Sequence, residues 1–398
     1  MHTKLNNKIA TLAAGRRRRS RRRRRQLLGD LEGPRDTFAN LGPNWFASVM
    51  GTGIVANAAV LLPVRVAVLT SAAIVIWILA ACMLTALLAA TAIHWLRYRE
   101  TARRHHRTLS MAPFYGAPPM ALLTVGAGAL LVGRHLIGLP AAVRVDEILW
   151  ALGTATGLLC AVAIPVLMFT EMPSGLGDVL GSWLMPVVPP MVSAAAGAGL
   201  IRYLPAGQAR LALLVACYAM FGVSLFMSLN VIALLWYRLT SHGVPAARLV
   251  PTLWIVLGPL GQSVTASGLL AHAAHGAVSS EYARAADAMA LLYGVPTWGF
   301  AISWLLIAGA ITLRTIRRGL PFSLTWWSFT FPVGTVVTGT SVLATHTHAA
   351  FLTDTSVGLY ALLVLAWAVV ITRTARASYR GSLFLPLSPP ATNAVPAN

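Results

Sequence analysis

Residues 249–280 read LVPTLWIVLGPLGQSVTASGLLAHAAHGAVSS, without one Asp, Glu, Lys or Arg. A helix needs roughly 20 apolar residues to cross a bilayer core about 30 Å thick, so this run is long enough to span one. Cut at its charged residues, the chain falls into ten such runs: 37–64, 66–96, 108–133, 148–170, 179–201, 211–237, 249–280, 288–313, 319–353 and 355–372. A charged side chain at mid-membrane costs about 2.5–3.5 kcal/mol on insertion scales, so charge-free runs are what lipid exposure demands. The pattern predicts an all-α membrane protein with ten transmembrane helices over residues 41–375.

Composition agrees, with 57% hydrophobic and 11% charged residues, against about 25% charged in soluble domains. Much of the formal charge of +20 sits in one tail, Arg16 to Arg19 and Arg21 to Arg25. Residues 1–40 therefore read as a disordered basic arm drawn to anionic lipid, at about 1 kcal/mol per residue near the surface, rather than to nucleic acid. Residues 26–40 supply no apolar stretch adequate for an export signal. Residues 376–398, Pro- and Ala-rich from Gly381 onward, predict a second disordered tail. Cys82, Cys160 and Cys217 fall inside apolar runs and read as small buried hydrophobes.

Orientation follows from the basic residues. With the N-terminus in the cytoplasm, the inner side receives the arginine arm, Arg97 to Arg107, Arg238, Arg248, Arg314 to Arg318 and Arg373 to Arg380. The other side receives only Arg65, Arg134, Arg144, Arg202, Arg210 and Arg284. That asymmetry places both termini in the cytoplasm of a cell whose plasma or inner membrane the chain crosses.

Helix breakers concentrate in the odd-numbered spans. Span one has Gly51, Thr52 and Gly53; span three has Pro113, Pro118 and Pro119; span five has Pro186, Pro189 and Pro190. Span seven has Pro251, Gly258, Pro259 and Gly261, and span nine has Pro332, Gly334 and Gly339. Even spans two, six and ten contain no proline, while four has Pro165 and eight has Pro296. A proline inside a helix costs about 3 kcal/mol and frees a carbonyl. At membrane depth such groups are tolerated only against protein or a water-filled cavity. The expectation is five helical hairpins, with five kinked inner helices around a central pore and five outer helices facing lipid. Odd spans also carry Asn57, Thr124, Ser193, Gln262, Thr265, Thr335 and Thr338. Interhelical hydrogen bonding accounts for individual hydroxyls; five spans sharing both breakers and polar groups point to a pathway.

No odd span contains an Asp, Glu, Lys or Arg. Cation pathways display carboxylates, whereas hydroxyls and helix amides favour a small anion; a neutral solute would leave a similar pattern. The titratable candidates are His272 and His275 near the outer end of span seven, and His346 and His348 at that of span nine. They could sense pH or simply tolerate the interface. Pairs at i,i+3 and i,i+2 without a carboxylate or thiol predict no metal site, and no cofactor is expected. An alternative, a membrane-embedded transferase, needs paired acids or an activated nucleophile. The chain offers Asp146-Glu147, assigned to a short outer loop, and Glu171 with Asp178 on an inner one.

The blocks WFASVMGTGI (residues 45–54), WLMPVVPP (183–190), LGPLGQS (257–263) and WWSFTFP (326–332) resemble the tellurite-resistance/dicarboxylate transporter family. That family includes malate permeases, sulfite exporters and plant slow anion channels, and the resemblance covers about residues 40–375. It implies a ten-helix fold of five hairpins around a pore in each subunit, homotrimers, and transport first of all of C4-dicarboxylates of the malate type, with sulfite or inorganic anions as the alternative. It also implies a phenylalanine gate in helix nine. The matching residue is Phe331, directly before Pro332. Phe329 lies about 200° around the helix and cannot face the same lumen. Trp326 and Trp327 read as interfacial anchors.

Overall fold

Lipid offers no hydrogen bonds to a peptide group, so an apolar run entering it must satisfy its own backbone by coiling into helix. In a computed structural model that describes residues 28–31 and 33–385, the chain is almost wholly helical, with no strand among those residues. The arginine tract expected to meet lipid lies outside the described residues, as do residues 386–398 of the expected tail.

Among the described residues each of the ten runs holds one of these helices: α1 Phe46–Leu61, α2 Ala67–Arg97, α3 Ala117–Gly128, α4 Leu139–Glu171, α5 Pro189–Leu200, α6 Gln208–His242, α7 Leu257–Ala274, α8 Ser280–Arg318, α9 Phe331–Thr347 and α10 Ala350–Arg380. Eight helical stretches among the described residues are long and apolar enough to cross a membrane. The runs holding α5 and α9 are not among them, because a break before each helix separates it from the preceding turn and leaves too short a continuous stretch. Before α5 the chain makes a 3-10 turn, Gly181–Leu184, and then breaks at residues 185–188. Before α9 the turn Leu324–Phe329 is followed by a break at Thr330, with φ −108° and ψ −77°.

All five odd-numbered helices are preceded by a 3-10 turn, which runs into α1, α3 and α7 without a break. The turns Pro43–Trp45, Ala112–Gly116 and Ala247–Val256 precede α1, α3 and α7. This corrects the expectation of prolines kinking helices from within. Pro118, Pro119, Pro189, Pro190, Pro259 and Pro332 all sit in first turns, and Pro186 in a break. There a missing N–H removes no intrahelical bond, so these prolines start helices cheaply. Pro165 and Pro296 lie inside the long α4 and α8, and Pro251 inside the 3-10 stretch Ala247–Val256.

Burial separates the two sets. The stretches Pro43–Leu61, Ala112–Ile137 and Ala247–Ala274 have 83%, 61% and 89% of their apolar windows buried, against 22–33% in α2, α4, α6, α8 and α10. Nearly every residue of α5 and α9 is buried as well. Contacts close a ring, α1 on α3, α3 on α5, α5 on α7, α7 on α9 and α9 on α1, and each member also packs on the long helix that follows it.

Indole groups pin the outer set to the inner one. Trp77 of α2 donates to the Val125 carbonyl of α3 at 3.1 Å, and Trp150 of α4 to the Ser193 carbonyl of α5 at 2.9 Å. Trp298 of α8 donates to Thr340 of α9 at 2.9 Å, and Trp367 of α10 to Thr52 of α1 at 3.2 Å. Each long helix but α6 is thus tied by an indole to the odd-numbered helix that follows it around the ring, and α6 packs on α7 as well. Trp327 is not an interfacial anchor: it is 1% exposed and donates to Thr374 of α10 at 3.1 Å. Trp326 is buried too, donating to the Pro321 carbonyl at 2.9 Å. Cys82 departs from expectation the other way, lying exposed on α2.

Packed structure crosses both expected domain boundaries. Helix α10 continues past residue 375 to Arg380, so the tail expected over 376–398 begins as helix. The Leu28 and Asp30 amides donate to the Tyr379 and Arg380 carbonyls at 2.8 and 3.0 Å. Phe384 stacks on Trp45 with centroids 5.1 Å apart, and its carbonyl accepts from Asn40 at 3.1 Å. The segment before residue 40 and the one after 375 therefore meet at one end of the bundle.

Candidate functional site

A cavity of about 130 Å³ lies among the ring of buried helices. A water needs some 10–15 Å³ of such volume, so several waters or one small anion fit. All five inner helices line it. Ile54, Asn57 and Leu61 come from α1, Leu123, Thr124 and Ala127 from α3, and Leu130 and Leu131 from the π turn Ala129–Gly133 that continues it. Helix α5 gives Val192, Ala195, Ala196 and Gly199, α7 gives Gln262, Thr265 and Leu269, and α9 gives Phe331 and Thr338.

Most of this wall is apolar, and its hydroxyls are occupied. Thr124 donates to the Met120 carbonyl of its own helix at 2.7 Å. Thr265 and Thr338 share a hydrogen bond of 2.7 Å across α7 and α9, where each hydroxyl also reaches a carbonyl of its own helix at 3.0 Å. The Asn57 amide donates to the Thr124 carbonyl at 3.0 Å, leaving its Oδ1 without a partner. Gln262 makes no side-chain hydrogen bond among the described residues and lines the cavity with its amide uncommitted. An amide carries two donors, which suits a negatively charged guest.

Phe331 is the first residue of α9 and is 3% exposed to solvent. It lines the cavity together with Thr338, about 10 Å further along the helix axis. Phe329 turns elsewhere, edge-on to Trp254 and Trp326. The irregular residue is Thr330 rather than Phe331, so the aromatic ring is aimed by a break one residue earlier than the proline alone suggests.

The glycines and Thr52 do other work than lining this cavity. A Cβ on Gly51 would run into Thr330 and Trp327, one on Gly53 would lie 2.8 Å from the Thr124 methyl, and one on Gly334 would strike Ile54. These are points of close helix approach. Thr52 donates to the Ser48 carbonyl at 2.7 Å while accepting the Trp367 indole. Gly258 differs: it is buried, yet a Cβ there would meet nothing within 4 Å.

The four histidines also lie away from the cavity. His272, His275, His346 and His348 are all exposed at the ends of α7 and α9. His275 pairs with Asp287 of α8 at 2.8 Å, His346 bonds the Val342 carbonyl at 2.9 Å, and His348 ends α9 in the left-handed region with φ 54°. Among the described residues no group of three His, Cys, Asp or Glu is placed to hold a metal.

A carboxyl does reach the cavity. Asp146 is not in a loop: it lies in the third turn of α4, 1% exposed, lining the cavity with both oxygens unpartnered. Runs broken at each charge cannot show this, because the charge itself sets the boundary. The lumen is therefore free of acids from the odd spans and not free of acids. Its neighbour Glu147 turns away to Arg144 at 3.0 Å. The inner-side acids are engaged separately, Glu171 with Arg107 at 3.6 Å and Asp178 with the Gly175 amide at 3.0 Å.

A histidine cluster sits where the short helix Arg99–His106 folds back on the end of α2. His94 bonds the Phe38 carbonyl at 2.7 Å and stacks on His105 at 5.4 Å, while His106 bonds the Tyr115 hydroxyl at 3.0 Å. Burial first, then His94, His106 and Arg104, push His105 down to about 4 from an ordinary 6.5.

Comparison with known proteins finds relatives over most of the chain. The sequence profile of the voltage-dependent anion channel family, SLAC1, matches residues 40–375. An uncharacterized transporter of Methanocaldococcus jannaschii is 25% identical over 359 residues, covering 90% of this chain and 99% of its own length. A sulfite efflux pump of Trichophyton rubrum is 26% identical over 354 residues, covering 87% and 93%. A candidate malic acid transport protein of Schizosaccharomyces pombe is 23% identical over 357 residues, covering 86% and 80%.

Proposed function

The chain belongs to the voltage-dependent anion channel family, and from that premise we propose that it carries small anions across a membrane through the cavity between its inner helices. The observation that carries this reading is a space lined by all five buried helices, with an uncommitted Gln262 amide in its wall and Phe331 at its border. Ten spans in five hairpins surround the passage, with Phe331 as the gate and three copies assembling side by side. The excess of basic residues on one side supports a plasma- or inner-membrane topology with both termini in the cytoplasm, and the sequence from Arg16 to Arg25 suits anionic lipid as its partner.

Sulfite and malate-type dicarboxylates are equally supported as cargo, since relatives of both descriptions match over most of this chain. The sequence placed malate first; the relatives remove that preference. A transferase finds little support, because Glu171 and Asp178 are each tied into their own local contact. Uptake of sulfite, malate, chloride and nitrate into liposomes holding the purified protein tests the proposal and ranks the cargo. Entry of none of them would overturn it.

A further inference from the structure

Asp146 is a carboxyl group in a passage otherwise suited to anions. It comes from the outer set, projecting from α4 past α3 into the central cavity. Helix α3 makes room for it with Gly126, where a Cβ would stand 2.9 Å from Oδ1. The side chain is 1% exposed, and neither oxygen accepts a hydrogen bond. Buried acids in stable proteins are ordinarily paired, so an unpaired one facing a solute-sized space calls for a functional account.

Its surroundings hold no compensating charge. The lining residues from α1, α3, α5, α7 and α9 carry no charged or titratable group. On its own helix Glu147 is taken by Arg144 at 3.0 Å. The turn Arg134–Ile137, which also packs on α4, brings Arg134 and His135, both exposed. Among the described residues no cation is placed to neutralise Asp146 when an anion arrives.

We propose that Asp146 is the proton-binding site of the transport cycle, so that anion and proton cross together. This rests on the anion-transport reading above. As a carboxylate, Asp146 repels an anion in the same low-dielectric space. As an acid, it presents an O–H that can donate to the anion beside the Gln262 amide. Anion binding therefore favours the protonated form, and by reciprocity protonation favours anion binding. The proton comes from water on the side of entry and returns to water on the side of release; no other bond is made or broken.

The test follows labelled sulfite and internal pH together in liposomes containing wild type, Asp146→Asn or Asp146→Glu. Asp146→Asn keeps size and hydrogen bonding but cannot titrate. The expected result is sulfite uptake by both, with wild type moving one more proton per anion and the asparagine variant losing that increment and its pH dependence. If Asp146→Asn is inactive, Asp146→Glu should restore proton-linked uptake. Equal proton-to-anion ratios in wild type and Asp146→Asn would overturn the inference, as would loss of uptake in both variants. Wild type that moves no anion would defeat the transport reading instead.

Discussion

Phe331 borders the central cavity, while Phe329, two residues before it, stands edge-on to Trp254 and Trp326 with ring centroids at 5.1 and 5.8 Å. One break at Thr330 sends adjacent aromatics to different tasks. Phe331→Ala should therefore raise basal anion uptake in liposomes severalfold. Phe329→Ala should leave uptake near wild type and lower thermal stability, by less than the ~3–5 kcal/mol of a fully buried phenylalanine, since its ring is half-buried. Unchanged flux in a folded Phe331→Ala protein would remove this residue from the gate.

Two glycines of α7 separate packing from passage. A Cβ on Gly261 would lie 2.5 Å from the Thr335 carbonyl carbon and the Val336 nitrogen, both backbone atoms of α9. Gly261→Ala should destabilise by about 1–3 kcal/mol or more, read as a lower melting temperature in detergent. Gly258→Ala meets empty space and should leave the melting temperature within error.

Gln262 has the one side-chain amide in the cavity wall with no internal partner. A hydrogen bond to a charged guest contributes about 1.5–3 kcal/mol, so Gln262→Leu should raise the half-saturating anion concentration roughly ten- to a hundredfold. Stability should hold, because no protein hydrogen bond is lost. Concentration series of sulfite and malate uptake measure this directly.

Acid should loosen the histidine cluster. His105 is held down at about 4 in the fold against an ordinary 6.5, chiefly by burial. Above 6.5 both folded and unfolded forms are neutral and its contribution is complete. As pH falls from about 6.5 toward 4, the unfolded chain binds a proton that the folded chain refuses, and stability is lost. Melting temperature should fall over that window in wild type and fall less in His105→Phe.

The division into buried and less buried helices was legible because proline and glycine clusters mark every second run, and those runs are the buried ones. Their mechanical meaning was not. Pro189, Pro190 and Pro332 looked like kinks, yet they begin helices after 3-10 turns, which a residue pattern cannot distinguish without the hydrogen-bond register. Gln262 and Phe331 were identifiable as polar and aromatic positions beside helix starts. Asp146 was not, because only the packing of α4 against Gly126 turns it inward. The stack of His94 on His105 depends on a chain reversal that hydropathy does not encode.

The central claim is that a solute passes between the inner helices and that the solute is an anion. Paired uptake of labelled sulfite or malate and of labelled rubidium into sealed liposomes tests it most directly. The anion should enter while rubidium stays out, and Phe331→Ala should speed the anion alone. Preferential entry of rubidium would contradict the account.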